Sequence, residues 1–137
     1  MGLVKKLDVG CGKFQSPKYI GLDKDDYGQK YVQDIRDGLP EGEWEEIRIK
    51  HCLEHLDNDS VIKFLNECWG KCKVLFVIVP SVYAPERAFH IDHRTFYSET
   101  TFKNLKRPRD KRIKSWKIES MNLTKKKDIY VKLKPYE

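Results

Sequence analysis

The sequence lacks any window approaching the roughly twenty apolar residues of a membrane-spanning helix, and no early segment joins a basic start to a long apolar run. Neither a membrane span nor an export signal is expected. Cysteine is sparse: Cys11, Cys52, Cys68 and Cys72 follow no disulfide framework of small secreted domains and read as reduced thiols of a cytoplasmic protein. There is no internal repeat and no second set of elements, so residues 1–137 are expected to form a single domain with one core.

What is present is charge. Charged residues make up 35% of the chain, well above the usual quarter, yet a 39% hydrophobic fraction supplies enough apolar surface to fold. The net charge of +6 is unevenly placed. Residues 1–80 hold 12 Lys and Arg against 14 Asp and Glu, whereas residues 81–137 hold 15 against 7. The densest basic stretch runs from Lys103 to Lys117 and includes Lys106, Arg107, Arg109, Lys111, Arg112 and Lys114. Such a run either grips phosphate backbones or is a solvated loop.

Along the chain, Leu3 to Val9 reads as a buried strand, Lys18 to Leu22 as a second, and Tyr31-Val32-Gln33 as a third. Lys13 to Lys18, the link between the first two, contains Pro17 and no helical period, and Lys24 to Lys30 is polar. A parallel crossover ordinarily takes a dozen or more residues and a helix, so both early crossovers are expected to be bare loops. Trp44 to Lys50 alternates as a strand with one partly wet face. From Asp59 to Cys72 the apolar residues Val61, Ile62, Leu65, Cys68, Trp69 and Cys72 follow a helical stripe, with Asp57 or Asp59 as cap and Lys71 and Lys73 suiting its negative end. Val74 to Val79 is apolar throughout, as in a strand covered on both faces. Ser81 to His93 reads as a long loop, and Ser98 as the cap of a short helix holding Phe102 and Leu105. Ser115 to Leu123 and Ile129 to Lys134 form a hairpin with a bulge near Glu119-Ser120. The order implies an α/β sheet, mostly parallel, with an antiparallel C-terminal hairpin.

Leu7-Asp8-Val9-Gly10-Cys11-Gly12 is a strand that ends in a Gly-x-Gly turn, where backbone N–H groups approach a ligand closely. Asp23, ending the second strand, suits the two hydroxyls of a ribose. These residues, followed by Gln33-Asp34-Ile35 and His51-Cys52-Leu53-Glu54-His55-Leu56, resemble the motif series of class I S-adenosylmethionine-dependent methyltransferases, in particular a small type 11-like group. Asp92-His93-Arg94 with the aromatic residues up to Tyr97 is similar to that group's loop after the fifth strand.

The resemblance implies a Rossmann-like sheet and a methyltransferase using S-adenosylmethionine, with an unidentified acceptor. It places the backbone of Gly10, Cys11 and Gly12 against the methionine part of the cofactor, with Asp8 helping to orient it. Asp23 takes the ribose, Asp34 the adenine amino group, and the Ile35 N–H a ring nitrogen. His51 borders the sulfonium. The family's helix after Gly12 is missing, which makes this a reduced version. Methyl transfer needs a base only when the acceptor must lose a proton; the candidates are His51, His55 and His93, with Asp92 as an orienting partner.

Rival readings follow from the same residues. His51-x-x-Glu54-His55 matches the zinc signature of inverted zinc peptidases, but Ile47 and Ile49 lead into His51 as a strand and not a helix. Cys68 and Cys72 fall on the expected helix's apolar stripe, so core packing outweighs a structural zinc, and no metal site is expected. Trp69 and Trp116 are expected in the core. The alternative function is a non-catalytic module that binds nucleic acid through the basic stretch. A sheet edge or an exposed Tyr83/Phe89 region is a candidate homodimer surface.

Overall fold

The computed structural model describes residues 5–137. Its strands are β1 (Lys6–Val9), β2 (Ile20–Asp23), β3 (Tyr31–Val32), β4 (Trp44–Lys50), β5 (Cys72–Pro80), β6 (Trp116–Leu123) and β7 (Asp128–Pro135). They form one sheet in the order β3-β2-β1-β4-β5-β7-β6. Pairing is parallel from β3 through β5 and antiparallel along β5-β7-β6, the mostly parallel α/β sheet with a C-terminal hairpin that the sequence implied. The helices are α1 (Asn58–Trp69), α2 (Pro85–Ala88) and α3 (Glu99–Lys103), with 3-10 turns at Ile35–Asp37, Leu53–His55 and Asn104–Lys106. None of them is long and apolar enough to cross a membrane.

The early crossovers are loops, as expected: residues 10–19 and 24–30 contain no helix. The register shift between Ile118 and Ser120 lies at the expected bulge. At α3, Ser98 and Thr101 form a reciprocal capping box. Several expectations need correction. The helical stripe was expected to reach Cys72, but α1 stops at Trp69 with Gly70 as its cap. Cys72 therefore opens β5, and Lys71 and Lys73 are not in the helix's last turn. The loop from Ser81 contains a helical turn started by Pro85, whose fixed φ suits a first helical position. Trp116 is fully buried, but Trp69 is only half-buried, its indole donating to the Ser115 carbonyl at 2.8 Å. The expected start of β1 at Leu3 lies outside the described residues.

The largest correction concerns β5. Its alternate residues Leu75, Val77 and Val79 are fully buried in one core with Leu7, Val9, Ile47, Ile49, Ile129, Val131, Leu133 and the α1 residues Phe64, Leu65 and Cys68. On the opposite face Val74 and Phe76 are only half-buried. The Val74–Val79 run was expected to be covered on both faces; Ile78 on the second face is buried, but Val74 and Phe76 are left partly open where the short crossovers carry no helix. A polar cluster stands there instead. Asp8 and Arg48, neighbours across β1 and β4, pair through two hydrogen bonds of 2.9 and 3.1 Å. The Arg48 guanidinium lies 4.0 Å from the centre of the Tyr19 ring, and the Tyr19 hydroxyl donates to the buried Glu46 carboxylate. Tyr19, at the end of the first bare crossover, thus covers part of the sheet that a helix would otherwise shield.

Candidate active site

The chain leaves β1 toward β2 and β3 on one side and returns through β4 and β5 on the other. Ligands in open α/β sheets gather at the carboxyl ends of strands where the order reverses in this way. Here β1 ends in a turn that only glycine tolerates well. Gly10 has φ +73°, its N–H and that of Cys11 donate to the Leu22 carbonyl at 2.8 and 3.1 Å, and a Cβ at Gly10 would lie 2.9 Å from the Cys52 Cβ. Gly12 has φ +63° and donates its N–H to Asp23 Oδ2 at 3.0 Å. The other Asp23 oxygen accepts from the Asp25 N–H at 3.0 Å. The glycine turn and the acid ending β2 are therefore one hydrogen-bonded unit.

This unit borders a cleft of about 500 Å³. Val9, Gly10, Leu22 and Asp23 form one wall; Gln33, Asp34, Ile35 and Arg36 the far end; His51, Cys52, His55, Leu56 and Asp92 the other wall. Of the residues named from the sequence, the cleft brings together Gly10, Asp23, Asp34, Ile35, His51, His55 and Asp92. Cys11 and Gly12 do not line it. The Cys11 sulfur packs beside Gly21, and burial, reinforced by Asp23 and Asp8, raises its thiol to about 11. Asp8 does not line the cleft either; both its oxygens are engaged by Arg48.

Asp34 caps the 3-10 turn at Ile35–Asp37 and accepts from the Arg36 backbone and guanidinium. Those hydrogen bonds, the guanidinium's foremost, hold its carboxyl down at about 2. The Ile35 N–H opens the turn and is one of the donors that a helix start leaves without a partner in its own helix.

His51 has the left-handed φ of +50°, uncommon for a residue other than glycine and found where surrounding structure enforces it. Its backbone N–H donates to the Ile78 carbonyl at 2.8 Å. Its ring stands between two carboxylates, Nδ1 3.7 Å from Glu54 Oε2 and Nε2 3.8 Å from Asp128 Oδ2. His51 also lines a second cavity of about 630 Å³ with Lys50, Glu86, Arg87, Lys126, Asp128 and Tyr130. It is thus the partition between the cleft and a polar pocket. The His-x-x-Glu-His residues are not on one helix: His51 directly follows β4 and His55 lies in a 3-10 turn.

His55 and His93 meet edge to face with ring centres 4.7 Å apart, and His55 Nδ1 lies 3.5 Å from Asp92 Oδ2. Asp128 and Arg87 were not singled out from the sequence, and Glu54 only as part of the His-x-x-Glu-His pattern. Asp128 begins β7 and is paired with Arg87 of α2. Nothing in the pattern Lys127-Asp128-Ile129 marks it, because its closeness to His51 is a product of β5-β7 pairing.

The basic stretch is partly committed to structure. Arg112 pairs with Asp110 and Asp59, the Asn66 side chain donates to the Arg112 carbonyl, and Lys114 lies 4.7 Å from the centre of the Trp69 ring. Lys106 covers Tyr136. In the lid-like loop Tyr83, Phe89, Ile91 and Phe96 are exposed.

No protein-family profile and no curated protein sequence matches the chain. Solved structures do. The chain is similar to the mitomycin 7-O-methyltransferase MmcR at 14% identity and a TM-score of 0.70, over 97% of this chain and 49% of that one. It is similar to DhpI in a complex with SAM and HEP at 14% identity and a TM-score of 0.66, over 96% and 78%. It is also similar to the small RNA methyltransferase HEN1 at 13% identity and a TM-score of 0.62, over 100% and 24%. The chain spans about half the length of MmcR. At these identities the likeness establishes the fold, that of class I S-adenosylmethionine-dependent methyltransferases.

Proposed function

We propose that the chain is an S-adenosylmethionine-dependent methyltransferase, a reduced member of the small type 11-like group forming one domain over residues 1–137. The observation that carries this reading is the convergence of Gly10, Asp23, Asp34, Ile35 and His51 on one cleft at the strand reversal. The residues fit the cofactor. Asp23 uses one lone pair of each oxygen on backbone donors, and a carboxylate has about four acceptor sites, so acceptors remain for two ribose hydroxyls. The Ile35 N–H offers a donor to an adenine ring nitrogen, and Asp34 beside it accepts from the adenine amino group once the exposed Arg36 guanidinium, which engages both its oxygens, gives way. Gly10 lets backbone approach where a side chain would collide with Cys52.

When bound, S-adenosylmethionine supplies a methyl group already activated by its sulfonium. The chain's own task is to hold an acceptor in line with it and, where needed, to take a proton. We assign that task to His51, which stands between the cleft and the polar pocket with the Glu54 and Asp128 carboxylates 3.7 and 3.8 Å from its ring nitrogens. His55 and Asp92 line the same cleft, and His93 packs against His55 behind them. The pocket carries Lys50, Arg87 and Lys126 against Glu86 and Asp128, which suits an acceptor bearing negative charge. RNA is one such acceptor, in keeping with the likeness to the small RNA methyltransferase HEN1 and with the basic C-terminal part, where Lys103, Arg107, Arg109 and Lys111 extend the positive charge. The four free thiols suit a cytoplasmic setting.

Isothermal titration with S-adenosylmethionine and S-adenosylhomocysteine tests the proposal. Binding of both is expected, weakened about tenfold or more by Asp23→Ala and much less by His93→Ala. Absence of heat from either ligand at high micromolar protein contradicts the reading.

A further inference from the structure

Glu54 is a buried carboxylate in a place where burial needs an explanation. Its side chain is 3% exposed, Oε2 faces His51, and Oε1 has no hydrogen-bond partner among the described residues. An ionised oxygen buried without a donor is costly, and such groups are normally paired or bound to a metal. Two imidazoles near Glu54 supply lone pairs that a shared metal ion accepts. Glu54, His55 and His93 each offer one ligand atom, and the three atoms lie within 4.8 Å of one another.

The backbone builds this cluster. The 3-10 turn places Glu54 and His55 in sequence, and the Glu54 carbonyl accepts from the N–H groups of Arg94 and Thr95 at 2.7 and 3.1 Å. That pair of bonds ties the lid-like loop to the turn and sets His93 against His55. The His93 ring is held as well: Nδ1 lies 2.8 Å from the Ala88 carbonyl. With Nδ1–H donating there, Nε2 keeps its lone pair, and a ring N–H given to a backbone carbonyl is the usual support of a metal-binding histidine.

We propose that Glu54, His55 and His93 bind a divalent transition-metal ion. Two imidazoles and one carboxylate suit zinc, cobalt or manganese rather than calcium or magnesium. Three protein ligands leave a coordination position open, as in catalytic rather than structural sites. Because His55 lines the cleft, the ion stands on its wall. The neighbouring trio His90, Asp92 and His93 is the competing arrangement; His90 and Asp92 are exposed, and no orphaned buried group points to them. The proposal does not depend on cofactor binding and is tested without it.

The protein, freed of metal by chelation, is titrated with Co²⁺ while visible absorption is recorded, and with Zn²⁺ in a calorimeter. One ion per chain with nitrogen-and-oxygen-type cobalt bands is expected. Glu54→Gln, His55→Ala and His93→Ala each weaken binding about tenfold or more, while His90→Ala changes it less than about twofold. His55 is exposed, so its replacement tests the site even if Glu54→Gln disturbs folding. No binding at millimolar metal, a thiolate charge-transfer band that places the ion on cysteine, or loss with His90→Ala but not with Glu54→Gln overturns the proposal.

Discussion

On the face of the sheet turned toward α1, Leu7, Ile47, Leu75, Val77 and Leu133 are fully buried in a continuous apolar core. At adjacent positions of the same strands, facing the other way, stand Asp8, Glu46, Arg48, Phe76 and Lys132. The first face is closed by a helix and the loop after β5; the second by an ion pair, a tyrosine and the stems of long cations, with Lys132 5.2 Å from the centre of the Phe76 ring. A class I methyltransferase fold can therefore lose its early crossover helices on one face. The carboxyl ends of β1, β2 and β4 remain aligned by parallel pairing, with Val9 opposite both Leu22 and Ile49.

The largest expected effect comes from the closed face. Leu75→Ala should cost about 3 kcal/mol in urea unfolding, and Phe76→Ala, next to it on the open face, less than half of that. Equal losses would show that the second face is as tightly packed as the first. Next is Arg48→Leu, which strands the buried Asp8 carboxylate and should cost about 2 kcal/mol, a discount from fully buried pairs because Arg48 retains some exposure. Replacing Asp8 by Leu in the same chain should recover part of that loss; no recovery would mean that the ion pair is not what holds this face.

Gly10→Ala forces a Cβ against Cys52 at φ +73° and should cost about 1 to 2 kcal/mol, with a marked loss of nucleoside binding. Unchanged binding would separate the glycine turn from the cleft. The smallest effect is in alkali. Burial and the hydrogen bond to Glu46 raise the Tyr19 phenol from 10.0 to about 12. Its contribution is thus complete below about pH 10 and lost as pH rises through about 12. Tyr19→Phe should remove that part of the alkaline fall in stability, measured by unfolding at a series of pH values.

Element order, the bare crossovers and the hairpin bulge were legible because each rests on local chemistry: Pro17 against a helix, the apolar Val74–Val79 run, the phase shift at Glu119-Ser120. The open face was not. Val74 and Phe76 read as buried on their own, and only the absent helices leave them half-covered. The glycine turn and the acids at Asp23 and Asp34 were legible at the site, because they follow strand ends directly. Cys11, Gly12 and Asp8 belong to the same motif yet point elsewhere, since the turn's hydrogen bonds and Arg48 direct them. Asp128 and the buried state of Glu54 were invisible because they depend on contacts between segments far apart in sequence.

The most direct test is a crystal structure with S-adenosylhomocysteine bound. The ribose hydroxyls should lie on the Asp23 carboxylate, the adenine edge between Asp34 and the Ile35 N–H, and the sulfur beside His51. A ligand seated away from Asp23 and Gly10, or none in crystals soaked at saturating concentration, would contradict the assignment of this cleft as the cofactor site.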